Sequence, residues 1–170
     1  MINNINKLPE VQFIKLFANI FENSHFIAEA LYKKKGDGFD NFEDLVQKMM
    51  SIFENATKEQ KLKILNAHPD LADKAKITSM TSDSKSEQNS AGLDQCTEDE
   101  FKEFKKLNEL YKKKFNFPFI LAVKEKNKNE ILDNFKKRIL NSPDEEFSNC
   151  LNEVKKIAKL RLKEIETNIE

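Results

Sequence analysis

The strongest constraint on the fold of this chain is a set of helix-start signals. Segments 57–60, 97–100 and 142–145 each begin with Ser or Thr and end, three residues later, with Gln or Glu. This capping-box pattern marks the first turn of a helix, because the two side chains satisfy backbone N–H groups that lack a partner there. Asn41 is a further candidate N-cap. A chain with so many helix starts is predicted to be an all-α protein.

Apolar residues recur three and four positions apart after these signals, as in helices that bury one face. The pattern predicts helices over about 9–21, 25–34, 41–55, 57–67, 97–115, 127–140 and from 143 onward, with one more turn near 71–75. A content of only 3 glycines and 34% charged residues also fits a helix-rich protein. At this length we expect a single domain, residues 1–170, of seven to eight helices.

Charge balance and cysteine positions narrow the classes of function. Acidic and basic residues number 29 each, which argues against nucleic-acid binding, since that function usually needs a basic excess. Cys96 and Cys150 are isolated, so they are predicted to be free thiols, and no metal site is predicted. No apolar run approaches the roughly 18 residues of a membrane span. The polar segment 1–10 lacks a signal core, so we expect a cytoplasmic protein.

The chain has two histidines, and one of them lies at a predicted break between helices. His68 precedes Pro69, and a residue before proline disfavours the helical conformation, so the helix from 57 should end near 67. A histidine titrates near neutral pH, which makes one at a helix end a candidate for acid–base chemistry. The other, His25, falls in the first turn of a predicted helix and is expected to be a helix-terminal residue.

Three further features allow both a structural and a functional interpretation. The polar stretch 77–96 is predicted to be a loop, where Glu87 is either functional or the closing residue of a capping box that starts at Ser84. The apolar stretch 117–123 lies near the core, as an extended segment or a helix start, and its backbone needs partners from the protein or from a polar ligand. Arg161, on the inward face of the last helix, either pairs with an acid or binds an anion.

Taken together, these residues suit a small, polar, nitrogen-rich acid as substrate. His68 can move a proton, and a carboxylate such as Glu87 can orient it. Gln88 offers a donor and an acceptor to a urea or amide edge, and Arg161 can bind a carboxylate. No glycine-rich phosphate loop and no serine nucleophile motif is present. Chemistry without a bound cofactor is the simplest interpretation.

The order of several short motifs resembles the OHCU decarboxylase family, whose substrate is 2-oxo-4-hydroxy-4-carboxy-5-ureidoimidazoline (OHCU). The resemblance rests on the segments 8–9, 21–29, 68–72, 84–88, 91–93, 117–120 and 157–162, with Asn108 and Tyr111. It implies an all-α, cofactor-independent decarboxylase, usually a homodimer, that forms (S)-allantoin from OHCU in urate degradation. Asn116 stands where a glycine is common in the family.

The resemblance also implies roles for individual residues. It makes His68 the catalytic histidine and Glu87 its partner carboxylate. The implied substrate contacts are Pro69, Ser84, Lys85, Ser86, Gln88, Phe119, Ile120, Leu121, Ala122, Val123 and Arg161. Two alternatives remain from the residues alone: a non-enzymatic all-α interaction module, in which His68 and Glu87 are cap and loop residues, and a related decarboxylase or hydrolase of another ureido acid.

Overall fold

Nine α-helices and one 3-10 helix form the regular secondary structure of the described residues, which are 1–72 and 81–169 of a computed structural model. The α-helices are α1 (Ile2–Asn6), α2 (Glu10–Phe17), α3 (Phe26–Lys34), α4 (Phe42–Glu54), α5 (Lys58–Ala67), α6 (Ser82–Ser90), α7 (Glu98–Phe115), α8 (Lys128–Arg138) and α9 (Pro143–Ile169). The 3-10 helix is Leu93–Gln95. The predicted all-α class is confirmed. Within the described part of the chain, no helix combines the length and the apolar character needed to cross a membrane.

The helix starts that the sequence predicted are confirmed. The Thr57 N–H donates to Gln60 Oε1 at 2.9 Å, and the Gln60 N–H donates to Thr57 Oγ1 at 3.2 Å. The boxes that open α7 and α9 form in the same way. Asn41 Oδ1 accepts from the N–H of Asp44 at 2.9 Å, as expected for an N-cap. Side-chain caps therefore determine where four of these helices begin.

The structure differs from the sequence-based prediction mainly around α6. The predicted loop over 77–96 is wrong for residues 82–90, which are helical despite their Ser, Asp and Asn content. Thr81 caps this helix, since its Oγ1 accepts from the Ser84 N–H at 3.3 Å. Ser84 is thus not the cap, and Glu87 lies inside the helix rather than closing a capping box. The predicted turn over 71–75 falls largely outside the described residues.

The chain divides into two compact units, and the first consists of Met1–Ile64 and Lys155–Glu170. In this unit α2 packs against α3, and α3 against α4. Its core is aromatic: the ring centroids of Phe13 and Phe17 are 4.8 Å apart, and Phe21 stacks on Phe53 at 5.0 Å. Burial of each such side chain contributes about 2 kcal/mol. The exposed His25 lies at the start of α3, so the helix-terminal interpretation is confirmed.

The second unit, Leu65–Val154, is built around the fully buried side chain of Tyr111. Ring centroids of Phe115, Phe119 and Phe135 lie 4.5, 5.3 and 5.7 Å from that of Tyr111. The helix that carries Tyr111 ends at Phe115 and is followed by Asn116, whose φ of 63° is left-handed. Asparagine tolerates this conformation better than most residues, so the turn keeps the geometry for which glycine is common.

Candidate active site

His68 is the first residue after α5 and is buried, with 9% of its surface exposed. Its N–H donates to Leu65 O at 3.2 Å and closes the last turn of the helix. Pro69 follows and ends the helix, because the α region is disfavoured before proline. The predicted break is confirmed, and it places a titratable ring at a helix end in the second unit.

Residues 69–72, here called the His68 loop, are held by the side-chain amide of Gln88. Gln88 Oε1 accepts from the Ala72 N–H at 3.0 Å, and its Nε2 donates to Asp70 O at 3.3 Å. Ala72 has a φ of 56°, a left-handed conformation that costs a residue with a Cβ roughly 1 kcal/mol. The sequence suggested Gln88 only as a substrate contact, so its bonds to the loop are an additional role.

Helix α7 supplies two further contacts to the His68 loop. Asn108 Nδ2 donates to Leu71 O at 2.9 Å, and Asn108 itself is 4% exposed. Its Oδ1 is buried and has no hydrogen-bond partner among the residues described. One turn further along, Lys112 Nζ forms an ion pair with Asp70 Oδ2 at 2.5 Å. The loop is thus held by side chains from α6 and α7 at three successive residues.

Helix α6 carries Glu87 and its neighbours on different faces. Ser84 and Gln88 are buried and, four residues apart, lie on the same face of the helix. Glu87 is half-buried, whereas Lys85 and Ser86 are exposed. Of the two alternatives for Glu87, the capping box from Ser84 is not formed, and the helix turns Ser84 and Gln88 inward and leaves Glu87 half-buried.

Residues 118–123, here called the 118–123 segment, form a buried stretch without regular secondary structure. The expectation that this stretch lies near the core is confirmed. Two of its backbone groups bond to charged side chains: Ile120 O accepts from Arg138 Nη1 at 2.6 Å, and the Ala122 N–H donates to Glu153 Oε2 at 2.8 Å. Side chains of the protein are therefore partners for at least part of this backbone, whose partners the sequence left undecided.

Arg138, which bonds to this segment, is part of a buried ion pair. Arg138 Nε and Nη2 both bond to Glu146 Oε1, at 2.7 and 2.5 Å. The Tyr111 hydroxyl donates to the same oxygen at 2.5 Å, and Asn141 Nδ2 donates to Oε2 at 2.9 Å. Glu146 is fully buried, yet each of its oxygens has partners. Cys150, the next inward residue on α9, lies 3.3 Å from Arg138 Nη2.

The pKa shifts in this cluster follow from burial and from the ion pair. Burial alone would raise the pKa of Glu146, but hydrogen bonds from Tyr111, Arg138 and Asn141 outweigh it and hold that pKa below its usual range. Burial raises the pKa of the Tyr111 hydroxyl far above its ordinary value, and burial also raises that of the Cys150 thiol. The cluster therefore contains one ionised pair surrounded by neutral donors.

Sequence reasoning missed Arg138, Glu146 and Glu153, because charged residues are usually solvated. A signal was present on α9, where Glu146, Cys150 and Val154 recur at four-residue spacing on the inward face. A carboxylate on such a face needs a buried partner. The two cysteines are free, as the sequence predicted, and both are buried.

Arg161 belongs to the first unit and is 3% exposed. Its Nη1 donates to Asn19 O at 2.8 Å and contacts Glu22 Oε2 at 3.2 Å. The interpretation that Arg161 pairs with an acid is confirmed, although Glu22 is buried rather than on the surface. Its role toward a substrate stays a prediction.

The titratable residues that the structure describes do not form a metal site. Across 1–72 and 81–169, no group of three or more His, Cys, Asp or Glu side chains is arranged to hold an ion. The His68 loop and the 118–123 segment, with the side chains that hold each of them, offer amide, carboxylate and backbone groups, which suit a polar organic molecule.

Comparison with known proteins places the chain in a family. The family model described as OHCU decarboxylase matches residues 6–163. A 2-oxo-4-hydroxy-4-carboxy-5-ureidoimidazoline decarboxylase from Haloferax volcanii is 36% identical over 96% of this chain and 94% of that protein. A uric acid degradation bifunctional protein from Bacillus sp. (strain TB-90) is 39% identical over 96% of this chain, which spans only 32% of that longer protein.

A solved structure agrees with these sequence matches. The crystal structure of an (S)-allantoin synthase superposes with a TM-score of 0.77 at 29% identity, over 97% of this chain and 54% of the other. The matches to the stand-alone decarboxylase and to the family model cover nearly the whole chain. This protein belongs to the OHCU decarboxylase family.

Proposed function

We propose that this protein decarboxylates OHCU to (S)-allantoin in urate degradation, without a cofactor. The observation that carries the proposal is the family match over residues 6–163, which includes every residue that the motifs singled out. Relatives that match at nearly full length are named for this activity. His68, which the resemblance makes the catalytic histidine, is buried and supports the proposal as a titratable group.

The substrate itself makes the reaction feasible without an electron sink from a cofactor. In OHCU the carboxylate is attached to a carbon that also bears a hydroxyl and adjoins an imine-like ring carbon. When the carbon–carboxylate bond breaks, CO2 leaves and the electron pair delocalises into the ring. A proton must then be added to the resulting enolate-like intermediate. His68, with Glu87 as its partner carboxylate, would move the hydroxyl proton or deliver this one, and delivery to one face gives the (S) product.

The remaining predicted contacts would hold the substrate. Gln88 and the 118–123 segment provide amide donors and acceptors that suit the ureido group and the ring. Pro69 would contact the substrate from the His68 loop, and Ser84, Lys85 and Ser86 would do so from α6. For Arg161 we propose a bond to substrate oxygens in addition to its pairing with Glu22.

The test uses OHCU generated fresh from urate by urate oxidase and 5-hydroxyisourate hydrolase. The protein is added, and the circular dichroism of the product is followed over time. We expect rapid appearance of optically active (S)-allantoin. A slow, racemic product that matches the spontaneous reaction would reject the assignment and favour another ureido acid as substrate.

The same assay tests His68 against a matched control. His68→Asn should lower turnover by about two to four orders of magnitude, because general acid–base catalysis typically contributes that much. His25→Asn makes the same change at an exposed helix start and should leave turnover unchanged. Normal turnover in the His68 variant would remove His68 from the mechanism.

We also propose that the enzyme is a cytoplasmic homodimer and that residues 1–170 form one cooperative domain. The resemblance to the family supports the dimer, and sedimentation equilibrium would measure it. A single urea-unfolding transition, seen alike by circular dichroism and by tyrosine fluorescence, is expected of one domain. Two separate transitions would instead mean that the two compact units unfold independently.

A further inference from the structure

We propose that Arg138 and Glu153 are positioning residues of this reaction, because together they fix how the backbone of Leu121 is presented to the substrate. The proposal rests on the decarboxylase function above. It concerns residues outside the predicted substrate contacts, on α8 and α9, and it assigns them an effect on substrate binding through the 118–123 segment.

The first step concerns the peptide group between Ile120 and Leu121. A trans peptide is planar, so its C=O and its N–H point in opposite directions. No cis peptide occurs among the described residues. Because Ile120 O points at Arg138 Nη1, 2.6 Å away, the N–H of Leu121 must point away from Arg138.

The second step applies the same geometry to the next peptide group. The Ala122 N–H points at Glu153 Oε2, 2.8 Å away, so the carbonyl of Leu121 must point away from Glu153. Leu121 is 6% exposed, and neither its N–H nor its C=O bonds to another residue in the described part of the chain. Buried backbone groups nearly always have partners, and here both a donor and an acceptor remain for a ligand. A ureido group carries the complementary C=O and N–H.

The third step explains why an arginine holds Ile120. The chain contains 29 basic residues, of which only Arg138 and Arg161 are arginines. The guanidinium of Arg138 uses Nε and Nη2 for Glu146 and Nη1 for Ile120 O, and its Cζ lies 4.5 Å from the centre of the Phe119 ring. Lysine has one charged nitrogen and cannot reproduce this planar fork. The planar guanidinium therefore fixes the direction of the Ile120 carbonyl, which the charge of a lysine alone would not do.

The experiment compares Arg138→Lys and Glu153→Leu with the wild-type enzyme in the OHCU assay. We expect KM to rise roughly fivefold to tenfold in each, the effect of one weakened hydrogen bond to substrate, while kcat changes less than about threefold. The pH profile should be unchanged, because His68 is untouched. Glu153→Gln keeps an acceptor for the Ala122 N–H and should restore a near-normal KM. Lys137→Ala, an exposed change on α8, is the matched control.

The outcomes separate this proposal from a purely structural role and from failure of the proposed function. Lower kcat with unchanged KM would mean that the variants only reduce the folded fraction, which overturns the proposal. A Glu153→Gln variant as impaired in KM as Glu153→Leu would also overturn it. If the wild-type enzyme does not accelerate OHCU decarboxylation, the proposed function itself fails. If the wild-type enzyme is active and the variants have an unaltered KM, only the positioning role is overturned.

A measurement on the wild-type protein keeps the proposal testable if the variants do not fold. Hydrogen exchange of a peptide covering residues 118–123 is followed by mass spectrometry with and without (S)-allantoin as the probe. Binding should slow exchange of one amide, that of Leu121. An unchanged exchange rate at saturating (S)-allantoin would overturn the proposal.

Discussion

The His68 loop and the 118–123 segment lie in the same compact unit, but different chemistry holds each in place. Neutral side-chain amides of Gln88 and Asn108 hold the backbone of the His68 loop. Charged side chains hold the 118–123 segment, through Arg138 and Glu153. Both stretches are buried and irregular, so both need side chains to satisfy their backbone.

The difference corresponds to what each stretch is proposed to do. A histidine that gains and loses a proton is sensitive to nearby charge, because a fixed charge favours one of its two protonation states. Amides hold a loop without such a bias, and the ion pair of Asp70 with Lys112 is neutral as a pair. The 118–123 backbone does not titrate, so full charges can fix its direction. Neutral backbone supports therefore add no bias beyond that of the proposed partner Glu87, whereas charged supports suit the binding element, whose backbone does not titrate.

The largest expected effect comes from breaking the charged support. Glu146→Ala should lower the free energy of unfolding by about 3–5 kcal/mol, because it leaves the buried Arg138 charge without its partner. The double change Arg138→Met with Glu146→Leu removes both charges and should recover most of that loss, since apolar residues of similar size often replace a buried pair without penalty. Urea unfolding measures both. A double variant as unstable as Glu146→Ala would show that the pair itself is required for folding.

The same pair predicts a smaller, pH-dependent loss of stability. The pKa of Glu146 is below its usual value in the folded protein, so its contribution is present above the unfolded pKa of about 4.3 and is lost as pH falls through the folded pKa. Stability of the wild type should therefore fall below about pH 4.3, more steeply than that of the Arg138→Met/Glu146→Leu double variant. Thermal unfolding between pH 3 and 6 measures the two slopes, and equal slopes would contradict the role of Glu146.

The sequence predicted those features of the molecule that depend on interactions between residues close together in the chain. The caps at Asn41, Thr57 and Thr97 involve residues three apart, so helix starts were correct. Helix α6 was missed because its Ser, Asp and Asn residues have low helix propensity, and burial of Ser84 and Gln88 overrides that preference.

The candidate site was predicted only in part, for the same reason. His68 was found because a proline beside it marks a helix end within the local sequence. Asn108 lies 37 residues from its bond partner Leu71, and Glu153 lies 31 from Ala122. Such pairings depend on tertiary packing, which apolar spacing along one helix does not specify.

An intermediate effect is expected when the neutral support is removed. Gln88→Leu should cost roughly 2 kcal/mol of stability, because the Ala72 N–H and the Asp70 carbonyl lose a partner while staying buried. Turnover should fall about tenfold or more, since the loop after His68 is then free to shift. Asn89→Leu, an exposed amide one residue along α6, is the control and should change neither quantity by much.

Gln88→Glu sharpens the comparison further. A carboxylate still accepts from the Ala72 N–H but no longer donates to Asp70 O, and it places a charge where the wild type has a neutral amide. We expect stability between those of wild type and Gln88→Leu, together with a shifted pH optimum for kcat. A pH profile identical to that of the wild type would contradict the idea that neutral supports matter near His68.

The smallest effect is expected at the ion pair between Asp70 of the His68 loop and Lys112. The side chain of Lys112 is 39% exposed, so water takes over part of its role when it is removed. Lys112→Met should cost about 1 kcal/mol or less, with kcat nearly unchanged and the difference from wild type reduced in high salt. Lys113→Met, one residue along and exposed, is the matched control. A loss in Lys112→Met as large as that in Gln88→Leu would mean that charge also holds the His68 loop, and the contrast between the two stretches would no longer stand.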